Sequence, residues 1–116
     1  MRLPRKVSQM VSCGALIVGG AAEAIISDDD VAFNKLKDFD VMAPDLETWY
    51  QISLLIPSNA KVNSYGGWKF KIDNIEVDVW VESLQHYLHH GKMDFGGYVY
   101  AIDFLNNRAY TSVPMD

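Results

Sequence analysis

The chain has a single cysteine, Cys13, no apolar run near the length of a membrane span, and no excess of positive charge. Each shortage removes a class of protein. One cysteine cannot close an internal disulfide, so a stapled secreted scaffold is excluded and a reducing compartment is expected. A membrane-crossing helix needs roughly 20 mostly apolar residues, which no stretch supplies, so no membrane partner is expected. Ten Lys and Arg against 15 Asp and Glu give a net charge of −5, with a pI near 5.0. Bulk positive charge of the kind that coats nucleic acid is missing, and any such partner has to be held by a local patch. Internal repeats, low-complexity tracts and linkers are missing as well.

What is present is close to the globular average: 49% hydrophobic and 22% charged residues over a length of 116. Such a length supports one core and a radius of gyration of about 13 Å, so a single domain over residues 1–116 is expected. Arg2, Arg5 and Lys6 precede the apolar stretch 11–26 in the manner of a secretory signal. Gln9, Ser12 and Glu23 interrupt the apolar run that such a signal needs, and the expected location is the cytoplasm.

Along the chain, residues 4–12 read as a short helix with Pro4 in its first turn. Residues 15–18 are a short apolar strand closed by Gly19-Gly20, and 21–26 are helix formers. Asp28, Asp29 and Asp30 read as an acidic loop or a cap for a following turn. In the strand 38–43, period 2 puts Asp38, Asp40 and Met42 on one face and Phe39, Val41 and Ala43 on the other. A helix runs from Pro44-Asp45 to Pro57, with Leu46, Trp49, Tyr50, Ile52, Leu55 and Ile56 on its apolar face. Residues 60–63, 68–72 and 75–81 form a meander, turned by Gly66-Gly67 and by Asp73-Asn74. Its last strand sends Ile75, Val77, Val79 and Val81 to one side and Glu76, Asp78, Trp80 and Glu82 to the other. Residues 83–90 are a short helix or loop ending at Gly91. A C-terminal hairpin over 98–113 turns at Asn106-Asn107. The fold class is α/β in the broad sense (α+β): a mixed, largely antiparallel twisted sheet flanked by helices.

Three features carry chemistry. Residues two apart on a strand lie about 6.6 Å apart and share a face, so Asp38 and Asp40 address one site. Carboxylates so placed repel each other unless they hold a cation. Asp78, from a neighbouring strand, makes an all-oxygen set suited to Mg²⁺, and two such ions about 3.5–4 Å apart clamp the attacking and leaving oxygens of phosphoryl transfer. Gly19-Gly20 lets backbone approach a phosphate at a helix N-terminus.

In this order the elements Leu16-Ile17-Val18-Gly19-Gly20, Lys37-Asp38-Phe39-Asp40-Val41 and Glu76-Val77-Asp78-Val79-Trp80 resemble the polymerase-beta-like nucleotidyltransferase superfamily, over residues 14–82. The resemblance implies a minimal nucleotidyltransferase fold in which Asp38, Asp40 and Asp78 bind two Mg²⁺ ions, or Mn²⁺. It implies that Gly19 and Gly20 hold the triphosphate of an NTP such as ATP, with Lys37 beside them. The implied reaction moves a nucleoside monophosphate to a hydroxyl on RNA, protein or a small molecule. The alternative is an inactive module on the same fold, an inhibitor or toxin–antitoxin component, acting through a helical protein partner or as a homo-oligomer. Lys35, Lys37, Lys69 and Lys71 are candidates for steering phosphates, though most of them read as solvated surface residues. His86, His89 and His90 read as a polar helix end, and Trp80 as packing on the Asp78 face.

Overall fold

The computed structural model describes residues 1–112, and over these the chain forms five helices and seven strands. Helix α1 (Arg5–Ser12) follows Pro4, whose ring holds φ at −54°. Its buried residues Val7, Met10 and Val11 recur at helical spacing. Strand β1 (Leu16–Val18) is apolar and buried at every residue, as a strand covered on both faces must be. Helix α2 (Gly19–Ile26) begins two residues earlier than its helix formers suggest, and its buried Ala21, Ala22 and Ala24 let it lie close to the sheet. A one-turn helix, α3 (Asp30–Asn34), was not expected. It is nucleated by Asp29, whose side chain accepts the Ala32 N–H at 3.0 Å, and it sets Phe33 edge-on to Phe39.

Strand β2 (Asp38–Ala43) leads through the Asp45 cap, 2.8 Å from the Thr48 N–H, into α4 (Leu46–Ser53). The helix stops short of Pro57 because the N–H groups of Leu54, Leu55 and Ile56 tighten onto carbonyls three residues back. Its expected apolar face is corrected in part. Thr48 and Ile52 are turned to the sheet, so Leu46 and Tyr50, each two residues away and about 200° round the helix, are 74% and 71% exposed.

Strands β3 (Lys61–Val62), β4 (Trp68–Ile72) and β5 (Ile75–Val81) make the meander. Asp73 and Asn74 turn the β4–β5 hairpin with φ of 50° and 69°, the positive values a two-residue primed turn needs. Helix α5 (Leu84–Phe95) does not end at Gly91. Gly91 is buried, and a Cβ there would sit 3.2 Å from Val99 Cγ1, so this glycine lets helix and chain approach. The helix instead ends at Gly96, φ 68°. Strands β6 (Tyr100–Asp103) and β7 (Arg108–Thr111) close the fold, and the expected strand end at Val113 lies outside the described residues.

The strands form one sheet in the order β3-β4-β5-β2-β1-β6-β7. Strands β2 and β5 are parallel and every other described pair is antiparallel, which is the mixed, largely antiparallel sheet expected. Helices α1 to α4 cover one face, burying Ile17, Phe39, Val41, Phe70, Val77 and Val79. On the other face Tyr87, with Leu84 and Leu88 beside it, brings α5 onto Leu16, Val18, Met42, Trp80 and Ala101. The first halves of β2 and β5 lack this apolar cover, and Asp38, Asp40, Glu76 and Asp78 stand there exposed or half-buried. The radius of gyration is 13.4 Å. Among the described residues no helix is long and apolar enough to cross a membrane.

The loop entering β4 depends on Gly67, where a Cβ would overlap the Val79 carbonyl oxygen, whereas a Cβ on Gly66 meets nothing within 4 Å. In urea titrations Gly67→Ala is expected to cost about 3 kcal/mol or more. Gly66→Ala should cost only the left-handed backbone penalty of roughly 1–2 kcal/mol. Equal losses would contradict this packing.

Candidate active site

The site is built where β1 gives way to α2. Gly19 adopts φ +71°, and a Cβ on it would lie 2.6 Å from Asp40 Oδ2. The backbone angle favours glycine, and a Cβ would displace the Asp40 carboxylate that rests against its Cα. Asp40 is paired with Val18 on one side and, across the parallel ladder, with Asp78 on the other. Neighbouring strands are about 4.8 Å apart, so the two carboxylates stand side by side. Burial first, then Asp78, Asp38 and Glu76, push the Asp40 carboxyl up to about 6. Asp78 is also raised by burial, while an Asn63 hydrogen bond and nearby Lys69 pull it back. Among the described residues, no Lys or Arg lies within ion-pair distance of any of these four carboxylates.

The expected trio is only partly gathered. Asp38 shares the face of Asp40 but is exposed, and it pairs in register with Glu76 rather than with Asp78. Among the described residues no three His, Cys, Asp or Glu side chains form a ready-made metal site, because Asp38 lies one strand repeat away from the Asp40–Asp78 pair. The donor chemistry nonetheless suits Mg²⁺, which keeps several waters and takes one or two carboxylates together with substrate phosphates. Lys37 is exposed just before β2, and its carbonyl accepts the Glu76 N–H at 2.8 Å. Gly20, exposed at the first turn of α2, shares with Gly19 the wall of a cavity of about 630 Å³ that Asp40 also lines.

That cavity contains residues the sequence reading passed over. Tyr65 stacks on Trp80 with ring centres 4.8 Å apart, and Tyr87 forms part of the wall. Burial pushes the Tyr87 hydroxyl up to about 12 against a backbone hydrogen bond at Gly19, and the Tyr65 hydroxyl is raised by burial and by the charges of Asp40 and Asp78. Glu82 accepts from Trp80 Nε1 at 2.9 Å and pairs with His86, which stacks on His90. His86 and His90 also line the cavity that Gly19, Gly20 and Asp40 share.

Asn63 is the other omission. Its Nδ2 donates to the carbonyls of Trp68 and Val79 at 3.0 and 3.2 Å and to Asp78 Oδ1 at 3.3 Å. Its Oδ1 accepts the N–H groups of Tyr65 and Gly67 at 3.0 and 2.8 Å. One buried amide thus shapes the loop that presents Tyr65 and steadies Asp78. The visible signal was an Asn four residues before Gly67 in a turn-rich segment.

No protein-family model, no curated protein and no solved structure matches the chain.

Burial of Asp40, with the charge crowding added to it, has a stability consequence. The Asp40 carboxyl binds its proton at about 6 when folded and near its ordinary 3.8 when unfolded. Between those values the folded chain holds more protons, so stability falls as pH rises through this window and stays low above it. Asp40→Asn is expected to stabilise the metal-free protein near neutral pH, by up to about 3 kcal/mol, and to flatten the decline. A lower urea midpoint for Asp40→Asn at neutral pH would contradict a carboxylate destabilised by burial and neighbouring charge.

Proposed function

We propose that this protein is a Mg²⁺-dependent nucleotidyltransferase on a minimal polymerase-beta-like fold, moving a nucleoside monophosphate from an NTP to a hydroxyl acceptor. The observation that supports it is the contact between Gly19, at a helix start, and Asp40, itself in parallel register with Asp78. It unites the phosphate-binding and carboxylate elements at one point.

Asp40 and Asp78 would hold Mg²⁺, or Mn²⁺, with Asp38 beside them. When bound, the ion offsets the negative charge of carboxylates and triphosphate. Every other contribution comes from the chain. The N–H groups of the first turn of α2 beyond Gly19, which is hydrogen-bonded to the Tyr87 hydroxyl, orient the triphosphate, and the Tyr65–Trp80 stack forms an apolar wall beside it. Asn63 holds Asp78 in place. In the reaction the acceptor oxygen bonds to the α-phosphorus, the bond from that phosphorus to the pyrophosphate oxygen breaks, and the hydroxyl proton leaves to solvent. Pyrophosphate departs. The protein contributes positioning and charge placement, and no covalent intermediate is needed.

A second reading, a partner-binding module without turnover, has one observation in its favour. Leu46, Tyr50 and Leu54, at spacings of four on one side of α4 and the turn after it, are 74%, 71% and 77% exposed. Such an apolar ridge suits a helical partner.

Turnover separates the two. With α-labelled NTPs, Mg²⁺ or Mn²⁺, and total cellular RNA and protein, the wild type is expected to transfer label to a macromolecule. Asp40→Asn and Asp78→Asn should lose roughly 100-fold or more of that activity while keeping the native circular dichroism. No transfer by the wild type, or equal transfer by the variants, would overturn the enzymatic reading.

A further inference from the structure

We propose that the open sheet face beyond Asp78 is a phosphate-binding strip made by Lys61, Lys69 and Lys71, and that the acceptor is a single-stranded polynucleotide whose backbone lies along it. The acceptor assignment rests on the nucleotidyltransferase reading; the strip does not.

The register of the sheet generates the strip. Lys69 pairs with Asp78 and Lys71 with Glu76, while Lys61 on the edge strand pairs with Lys69. One row across the sheet therefore runs Asp40, Asp78, Lys69, Lys61, and the next runs Asp38, Glu76, Lys71. Alternation sends Phe70 to the core face and leaves both β4 lysines on the carboxylate face. All three lysines are exposed, and together with Asn59, Phe70 and Glu76 they line a groove of about 350 Å³. Among the described residues none of the three has a carboxylate within ion-pair distance.

A directly opposed pair of like charges destabilises a ladder. Lysine on an edge strand protects against edge-to-edge pairing, which accounts for Lys61. Lys69 and Lys71 each face an acid across the ladder, Asp78 and Glu76, which leaves the Lys61–Lys69 contact as the uncompensated one. An anion between them reverses the repulsion. The strip also lies on the opposite side of the carboxylates from the triphosphate seat: Gly19 follows β1 on one flank of Asp40, and Lys69 flanks Asp78 on β4. A phosphate on the strip therefore belongs to the other substrate. Three cations spread over two rows match a repeating phosphate chain better than one terminal phosphate. In a chain of net charge −5 this is the local patch that a polyanion requires.

The test is fluorescence anisotropy of labelled oligouridylate without NTP or divalent cation, over a salt series, for wild type and for the Lys61→Gln, Lys69→Gln, Lys71→Gln triple variant. The variant is expected to bind at least tenfold more weakly at low salt. Its slope of log affinity against log salt should be shallower by about 2, at about 0.7 per lost contact on a single strand. On the wild type, oligouridylate should shield these three lysines from acetylation while Lys6 and Lys35 react as before, a readout independent of how the variant folds. No binding by the wild type, an unchanged slope, or uniform shielding would overturn the strip. Shielding by pyrophosphate but not by oligouridylate would overturn the polynucleotide assignment, and so would equal competition by polyglutamate. The two levels fail separately. RNA binding with no label transfer retains the strip and removes the enzyme, whereas transfer without RNA binding does the reverse.

Discussion

Two carboxylates of like charge, Asp40 and Asp78, stand side by side on adjacent parallel strands in a half-buried position. Much of the surrounding structure is arranged around that contact. Gly19 gives up a side chain and takes a left-handed backbone angle so that Asp40 can rest on it. Asn63 uses both ends of its amide to shape one loop and to hold Asp78. The apolar cover laid down by α5 stops at Met42 and Trp80, leaving the carboxylates accessible. Replacing one of the two acids would relieve that burial and repulsion, and in the proposed reading a bound cation offsets the same cost.

The same sheet solves a problem of access on its two faces. Helices α1 to α4 bury one face across most of its width, which fixes strand register through Val41, Val77 and Val79. With the register fixed, the polar residues of β2, β5, β4 and β3 have no freedom to slip. Acids and lysines then fall into ordered rows on the open face. The charge pattern of that face follows from hydrophobic packing on the other.

Much of this was legible in the sequence for a physical reason. Alternation in β5 is strict, so the faces of Asp78 and Val77 could be assigned from period 2, and the β4–β5 turn announced itself at Asp73-Asn74. The same period put Asp38 and Asp40 on one face. Less was legible where a tertiary contact decides. Gly91 looks like a helix stop and is a packing glycine against Val99, and Leu46 and Tyr50 look like core but face away because Thr48 and Ile52 are the pair turned to the sheet. Asp78 was expected on a strand neighbouring that of Asp38 and Asp40, and β5 does lie beside β2; the register, in which Asp40 meets Asp78 while Asp38 meets Glu76, is a long-range choice no local pattern encodes. Asn63 and Tyr65 were missed on the same ground, since their roles exist only once the loop is folded over β5.

In the proposed reading the Asp40–Asp78 pair is a cation site. Titration of isotope-labelled protein with substoichiometric Mn²⁺ tests it directly, because paramagnetic broadening of amide signals falls steeply with distance from the ion. Gly19, Asp40 and Asp78 are expected to broaden first, with Asp38 close behind, and Asp40→Asn to abolish the effect. Broadening centred on the aspartates at 28–30 or on the histidines of α5, or no selective broadening, would contradict it.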